Sequence, residues 1–277
     1  MNVTNKIIKI TSDHPGHKVA IFVGVHGNET VGIIALQEIL PNLKLKRGTV
    51  YAAFANVPAI EQNMRVIKSN LNRRFFAGNN GTDYEDVRAR ELMRVLDECD
   101  ALLDLHSFGK DDPEAPFIIC EDNALDLATK FEPDIVSVGW TCAEPGATDG
   151  YMYKAGKIGI CIECGPLSRP EEFKPLAIKS VYQFLKYYDL IETDVEFSTS
   201  PKKIIKIESA TKRKSEDFYL NPALQSFQQL KTDQILGKQG ITDLLGKEGD
   251  YIIFPRPNAA IGAEAYLIGR DIDTSVL

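Results

Sequence analysis

The chain has 277 residues, 44% hydrophobic and 26% charged, with a formal net charge of −7; this is a globular composition, without the basic excess of a nucleic-acid-binding surface. No stretch reaches the ~18–20 apolar residues of a membrane span, and the N-terminus, Met1-Asn2-Val3-Thr4-Asn5-Lys6, lacks the basic and apolar regions of a secretory signal. The five cysteines (Cys99, Cys120, Cys142, Cys161 and Cys164) have no framework spacing, so a cytoplasmic protein with reduced thiols is expected.

In chain order, Lys18 to Val25 is a near-continuous apolar run, the pattern of a strand buried on both faces. His26-Gly27-Asn28-Glu29 follows as a turn. Thr30 to Leu40 then has helical periodicity before Pro41, with Asn28 as the expected N-cap. Thr49–Phe54 reads as a strand. Asp83–Glu98 reads as a helix with Val87, Leu92, Val95 and Leu96 on one side, and Ala101–Leu105 as a short strand ending at His106. Further apolar runs lie at Phe117–Cys120, Ile135–Val138 and Ile158–Ile162, with helical segments at Leu125–Phe131 and Glu171–Tyr188. Strands alternating with helices predict an α/β fold, a mixed and largely parallel sheet with helices on both faces. Near residue 195 the pattern changes to short alternating runs such as Lys203–Glu208 and Tyr251–Phe254, punctuated by glycine. Residues 1–195 are therefore expected to form the catalytic domain and 196–277 a small β-rich C-terminal domain.

Of the four histidines, His14 and His17 lie in a polar loop, whereas His26 and His106 each follow an apolar strand. Ligand sites in open α/β sheets form outside the carboxyl ends of strands. His26 and Glu29 are three apart where a helix opens, a spacing that can point both side chains the same way. With His106 they make the two-His-one-carboxylate set of a catalytic zinc site, which keeps one position for water; Asp104 stands where it could hold an imidazole. Read alone, the same residues also suit a helix cap and a hydrogen-bonded loop histidine. Arg65 and the pair Arg73-Arg74 concentrate positive charge in an acidic chain, which suggests an anionic ligand. Cys161-Ile-Glu-Cys164 has the spacing of a metal or redox pair, but in a strand positions three apart face opposite sides, so buried inert thiols are expected. Gly78-Asn-Asn-Gly81 lacks the Lys-Ser/Thr of a phosphate loop and reads as a flexible loop.

The longer string is Gly24-Val-His26-Gly-Asn-Glu29, Arg65, Asn72-Arg73, Asp104-Leu-His106-Ser107 and Ile162-Glu163-Cys-Gly165. It resembles the aspartoacylase/succinylglutamate desuccinylase branch of the zinc carboxypeptidase-like family over most of residues 18–190, and a β-rich C-terminal extension fits that branch. The resemblance implies one Zn2+ held by His26, Glu29 and His106. It implies that Glu163 takes a proton from the attacking water and later gives it to the leaving amine. It further assigns Arg65 to the oxyanion, and Asn72 and Arg73 to the substrate carboxylate, a group the guanidinium fork suits.

The expected activity is zinc-dependent amide hydrolysis that splits an N-acyl amino acid into a carboxylate and a free amine. A carboxypeptidase acting on a peptide or peptidoglycan-like substrate, and a non-catalytic metal-binding protein on the same fold, stay open. The expected partner is a small molecule carrying a carboxylate, with no nucleic acid and no membrane; assembly into a homo-oligomer is left open. The sequence departs from the branch in one respect. Its acidic-substrate members place an arginine about ten residues before the catalytic glutamate, and Tyr151–Lys157 offers only Lys154 and Lys157. Nor do Tyr219, Tyr251 or Tyr266 sit in a motif matching the family's substrate-binding tyrosine.

Overall fold

The computed structural model describes residues 7–109 and 115–272. The first part of the chain alternates strands and helices: β1 (Ile7–Thr11), β2 (Lys18–Val23), α1 (Thr30–Ile39), β3 (Thr49–Phe54), α2 (Val57–Glu61), α3 (Tyr84–Glu98), β4 (Ala101–Phe108), β5 (Phe117–Cys120), α4 (Leu125–Ala128), β6 (Ile135–Val138), α5 (Trp140–Ala143), α6 (Thr148–Lys154), β7 (Ile158–Pro166) and α7 (Pro170–Tyr187). Among the described residues only strands follow: β8 (Lys203–Lys212), β9 (Phe218–Leu220), β10 (Gln228–Gln229), β11 (Ile235–Gln239), β12 (Thr242–Leu245), β13 (Asp250–Ile253) and β14 (Glu264–Asp271).

The central sheet has 11 strands in the order β1-β3-β2-β4-β7-β5-β6-β8-β14-β13-β10. Strands β3, β2, β4 and β7 run parallel. The direction reverses between β7 and β5, and β5, β6 and β8 are again parallel to one another. The sheet is thus mixed and largely parallel, as expected, and a separate antiparallel sheet of β12, β11 and β9 lies in the C-terminal region. The main sheet continues past residue 195, because β8 pairs directly with β6.

The apolar run in β2 has the reason inferred from sequence. Val19, Ile21 and Val23 face a core shared with α1 and α7, while the intervening Ala20 and Phe22 face the core beneath α3. A strand covered on both sides cannot alternate polar with apolar residues. Helix α7 buries Ala177, Ser180, Val181, Phe184 and Leu185, a stripe at helical spacing. In α3 the buried stripe runs through Glu85, Ala89, Leu92 and Leu96. Val87 lies off it and is 41% exposed, so the sequence reading placed that residue on the wrong face.

Cys161 and Cys164 fall in cores on opposite faces of β7, and all the cysteines are unpaired. Burial pushes both thiols well above their ordinary pKa, which makes them inert. The Gly78–Gly81 loop is tied down, because buried Asn79 donates to the Arg74 carbonyl and accepts from Gly81 N–H. Among the described residues no helix is long and apolar enough to cross a membrane.

Candidate active site

The chain leaves β2 through Gly24, which has a φ of 65°, a conformation glycine adopts at no steric cost. Gly27 then passes so close to α2 that a Cβ would sit 2.1 Å from the Ala59 carbonyl carbon. These two glycines turn His26 inward over the end of the sheet. Helix α1 begins at Thr30 with Glu29 in the capping position, and no side chain caps it. Asn28, expected there, does not cap. Glu29 does not bond the helix either, because its carboxylate is drawn between two imidazoles.

Those imidazoles come from adjacent parts of the sheet. Strand β4 runs through Phe108, so His106 lies within it, in register with Glu163 on the parallel β7. His26 Nδ1 is 2.7 Å from Glu29 Oε1, and His106 Nδ1 is 2.8 Å from Glu29 Oε2; each of the three side chains is at most 5% exposed. The outer nitrogens point away from Glu29. His26 Nε2 lies 3.0 Å from Asn70 Oδ1, and His106 Nε2 lies 3.0 Å from Asp104 Oδ2, which also accepts from the Thr148 hydroxyl at 2.6 Å.

The protons on His26 can be placed. Asn70 Oδ1 already accepts the Asn72 N–H, so His26 Nε2 must donate to it. Burial holds the His26 pKa below its ordinary value, so the ring is neutral and its single proton is on Nε2. The Nδ1 lone pair then faces a carboxylate oxygen at 2.7 Å with no hydrogen bond between them. Two buried acceptors at that separation call for a cation. The donor atoms of His26, Glu29 and His106 all lie within 4.8 Å of one another, so these residues fit a metal ion. His106, Cys161 and Glu163 also converge, but burial keeps the Cys161 thiol protonated and a poor ligand.

Electrostatics follow from this crowding. Burial works to raise the Glu29 pKa, yet the two imidazoles hold it well below the carboxylate range. Burial works to lower His106, and Asp104 and Glu29 outweigh it and hold that ring well above the ordinary histidine value. At Glu163 the balance goes the other way, because burial outweighs the pull of His106 and Arg65. Burial pushes its pKa up to about 8, and its Oε2 has no hydrogen-bond partner.

Arg65, Asn72 and Arg73 reach the pocket on the segment between α2 and α3. Buried Glu85 shapes that segment by accepting from the N–H groups of Ile67, Lys68 and Ser69 and from Asn56 Nδ2. Arg65 donates to Glu29 Oε1 at 2.8 Å. Asn72 Oδ1 accepts the Thr148 N–H at 3.1 Å. Arg73 pairs with Glu144 at 2.6 Å. The structure therefore brings all of the sequence-derived site residues to one cavity of about 390 Å3.

Other residues of this cavity escaped the sequence reading: Asn70, Trp140, Glu144, Asp149 and, from the C-terminal region, Phe254 and Arg256. None sits in a motif, and only the return of the chain across the sheet places them. Lys154 is exposed, and Lys157 Nζ bonds the Leu96 and Asp97 carbonyls. Neither lysine lines the cavity, nor do Tyr219, Tyr251 and Tyr266.

Comparison with known proteins agrees with this geometry. Residues 15–187 match the family described as the succinylglutamate desuccinylase/aspartoacylase catalytic domain. An N-acyl-aromatic-L-amino acid amidohydrolase (carboxylate-forming) of Rattus norvegicus is 27% identical, over 88% of this chain and 86% of its own. A succinylglutamate desuccinylase of Serratia proteamaculans is 25% identical, over 99% of this chain and 91% of its own. Among solved structures, a succinylglutamate desuccinylase from Vibrio parahaemolyticus superposes with a TM-score of 0.79 at 17% identity, over 96% of this chain and 86% of that one.

Proposed function

Since the chain belongs to the succinylglutamate desuccinylase/aspartoacylase family, we propose that it hydrolyses the amide bond of an N-acyl amino acid, using one zinc ion held by His26, Glu29 and His106. The carrying observation is the pair of Nδ1 atoms turned onto one buried carboxylate, with His26 Nε2 bonded to Asn70 so that its Nδ1 lone pair faces inward. Imidazole and carboxylate donors in a set of three suit zinc.

Zinc in that position supplies Lewis-acid activation of water and of the acyl carbonyl. Glu163, one strand over from His106, accepts a proton as the water oxygen bonds to the carbonyl carbon. As the C–N bond breaks, the same carboxyl returns that proton to the leaving nitrogen. Arg65, 52% exposed and anchored among the described residues only at Glu29, swings a short way to the developing oxyanion. Arg73 exchanges Glu144 for the substrate carboxylate, with the Asn72 amide NH2 beside it.

The test is amine release from a panel of N-acyl amino acids, run beside metal analysis. About one zinc per chain and chelator-sensitive turnover are expected. Glu163→Gln should lower kcat by about 10²–10⁴-fold while retaining zinc, and His26→Ala should lose the metal. A Glu163→Gln protein that turns over like the native one removes Glu163 from this role. A native protein that binds no zinc removes the metal reading.

A further inference from the structure

Asp149 is part of the cavity wall and is 4% exposed. Among the described residues no side chain donates a hydrogen bond to its carboxyl. The charged side chains that act on it are Glu121 and Asp104, both acidic and both already supplied with donors. Glu121 accepts from Thr141 N–H and Oγ1–H, and Asp104 accepts from Thr148 Oγ1–H. The cations of the cavity are committed as well: Arg65 to Glu29, Arg73 to Glu144, and Arg256 at 3.5 Å from Glu264. Asp149 is thus a buried carboxyl that faces a cavity and has no cation among the described residues.

An isolated buried carboxylate is costly, and burial pushes this one up to about 7. A group held at that cost against an open cavity is satisfied by what enters the cavity. We propose that Asp149 is the counter-ion for an ammonium-bearing side chain on the amino-acid half of the substrate, so that N-acyl diamino acids are preferred. This rests on the deacylase reading above.

Glu144 strengthens the preference. Once the substrate carboxylate takes Arg73, the Glu144 carboxylate is released into the same cavity as a second negative group. An acidic side chain would meet Asp149 and Glu144 with no free cation to receive it. A neutral isostere would leave Asp149 buried and unpaired, and sites that lose a required polar partner discriminate strongly.

The experiment compares kcat/KM of the zinc-loaded protein for N-acetyl forms of 2,4-diaminobutyrate, ornithine and lysine with those of norvaline, glutamine and glutamate. At least one cationic substrate should exceed its neutral counterpart by tenfold or more, and glutamate should be poorest. In Asp149→Asn that cationic-to-neutral ratio should fall at least tenfold. A native protein that prefers neutral or acidic side chains overturns the proposal, as does a variant with an unchanged ratio.

Calorimetric binding of the free diamino acids, which needs no turnover, separates this from failure of the deacylase reading. If no acyl amino acid is hydrolysed, diamino-acid binding that weakens tenfold in Asp149→Asn still supports the cation site. Absent binding, or binding indifferent to the substitution, overturns it. Should Asp149→Asn not fold, the preference of the native protein decides.

Discussion

At Asp149 the folded protein holds a carboxyl at a pKa of about 7, against an ordinary value of 3.8. The folded-state value is the higher one, so folding takes up a proton between those values. The stability that the neutral acid contributes is full below about pH 4 and is lost as pH rises through 7. Asp149→Asn removes the ionisable group at nearly constant shape. The variant should therefore be more stable than the native protein at pH 8, by on the order of 2–4 kcal/mol, with the gain vanishing towards pH 4. Thermal or urea unfolding at the two pH values measures this. A variant less stable at pH 8 would mean that Asp149 is a structural hydrogen-bonding residue.

Single residues also mark what was legible in the sequence. His26 and His106 could be found because each stands at or near the end of an apolar strand, where α/β sheets place their ligands; Glu29 followed from its spacing to His26, and Glu163 from the family resemblance alone. Glu144 and Asp149 carry no such signal, since an acidic residue in a polar stretch is ordinarily solvated. Only the packing of α5 and α6 against the sheet turns these two inward. Asn28 was misread as a cap for a related reason: its neighbour Glu29 occupies the capping position but has its carboxylate committed to the imidazoles.

Between residue and fold lies the segment from α2 to α3, which has little regular structure yet presents Arg65, Asn72 and Arg73. Its shape depends on Glu85, fully buried in α3 and accepting from successive backbone N–H groups. Glu85→Ala leaves those donors buried and unpaired, and should cost about 3 kcal/mol of stability. Glu85→Gln keeps an acceptor and should lose less. Because the loss loosens Asn72 and Arg73 while leaving Glu163 in place, KM should rise in the Gln variant more than kcat falls. Equal effects of the two substitutions on unfolding would contradict this account. The longer helices and the buried strands were readable, from the 3.6 period and from unbroken apolar runs, whereas β1 and the short helices α2, α5 and α6 carry too few residues for either signal. The Glu85 clamp was hidden, since a glutamate in a helix normally faces water.

For the whole molecule, the sheet runs unbroken from β1 to β10 across residue 195. Phe254 closes over Phe117 and Trp140, with ring centroids 5.5 and 5.7 Å away. A chain ended at residue 195 would leave β6 as an unpaired edge and strip the cover from that aromatic cluster. Such a fragment should aggregate or bind a hydrophobic dye. A soluble monomer with native near-UV circular dichroism would show that residues 196–277 are dispensable to the fold. The sequence marks a change of pattern near 195, but composition does not say which strand a later strand will join.

The Arg73–Glu144 pair gives the cavity a further property. Without a ligand the guanidinium is already neutralised, so a substrate arrives by swapping one carboxylate for another. The standing charge near Arg73 stays nearly constant through that swap, and chloride competes poorly with a carboxylate already paired to the guanidinium. Selection then depends on the difference between an internal tenant and an external one. The protein thereby carries its own reference compound, against which every incoming acid is weighed.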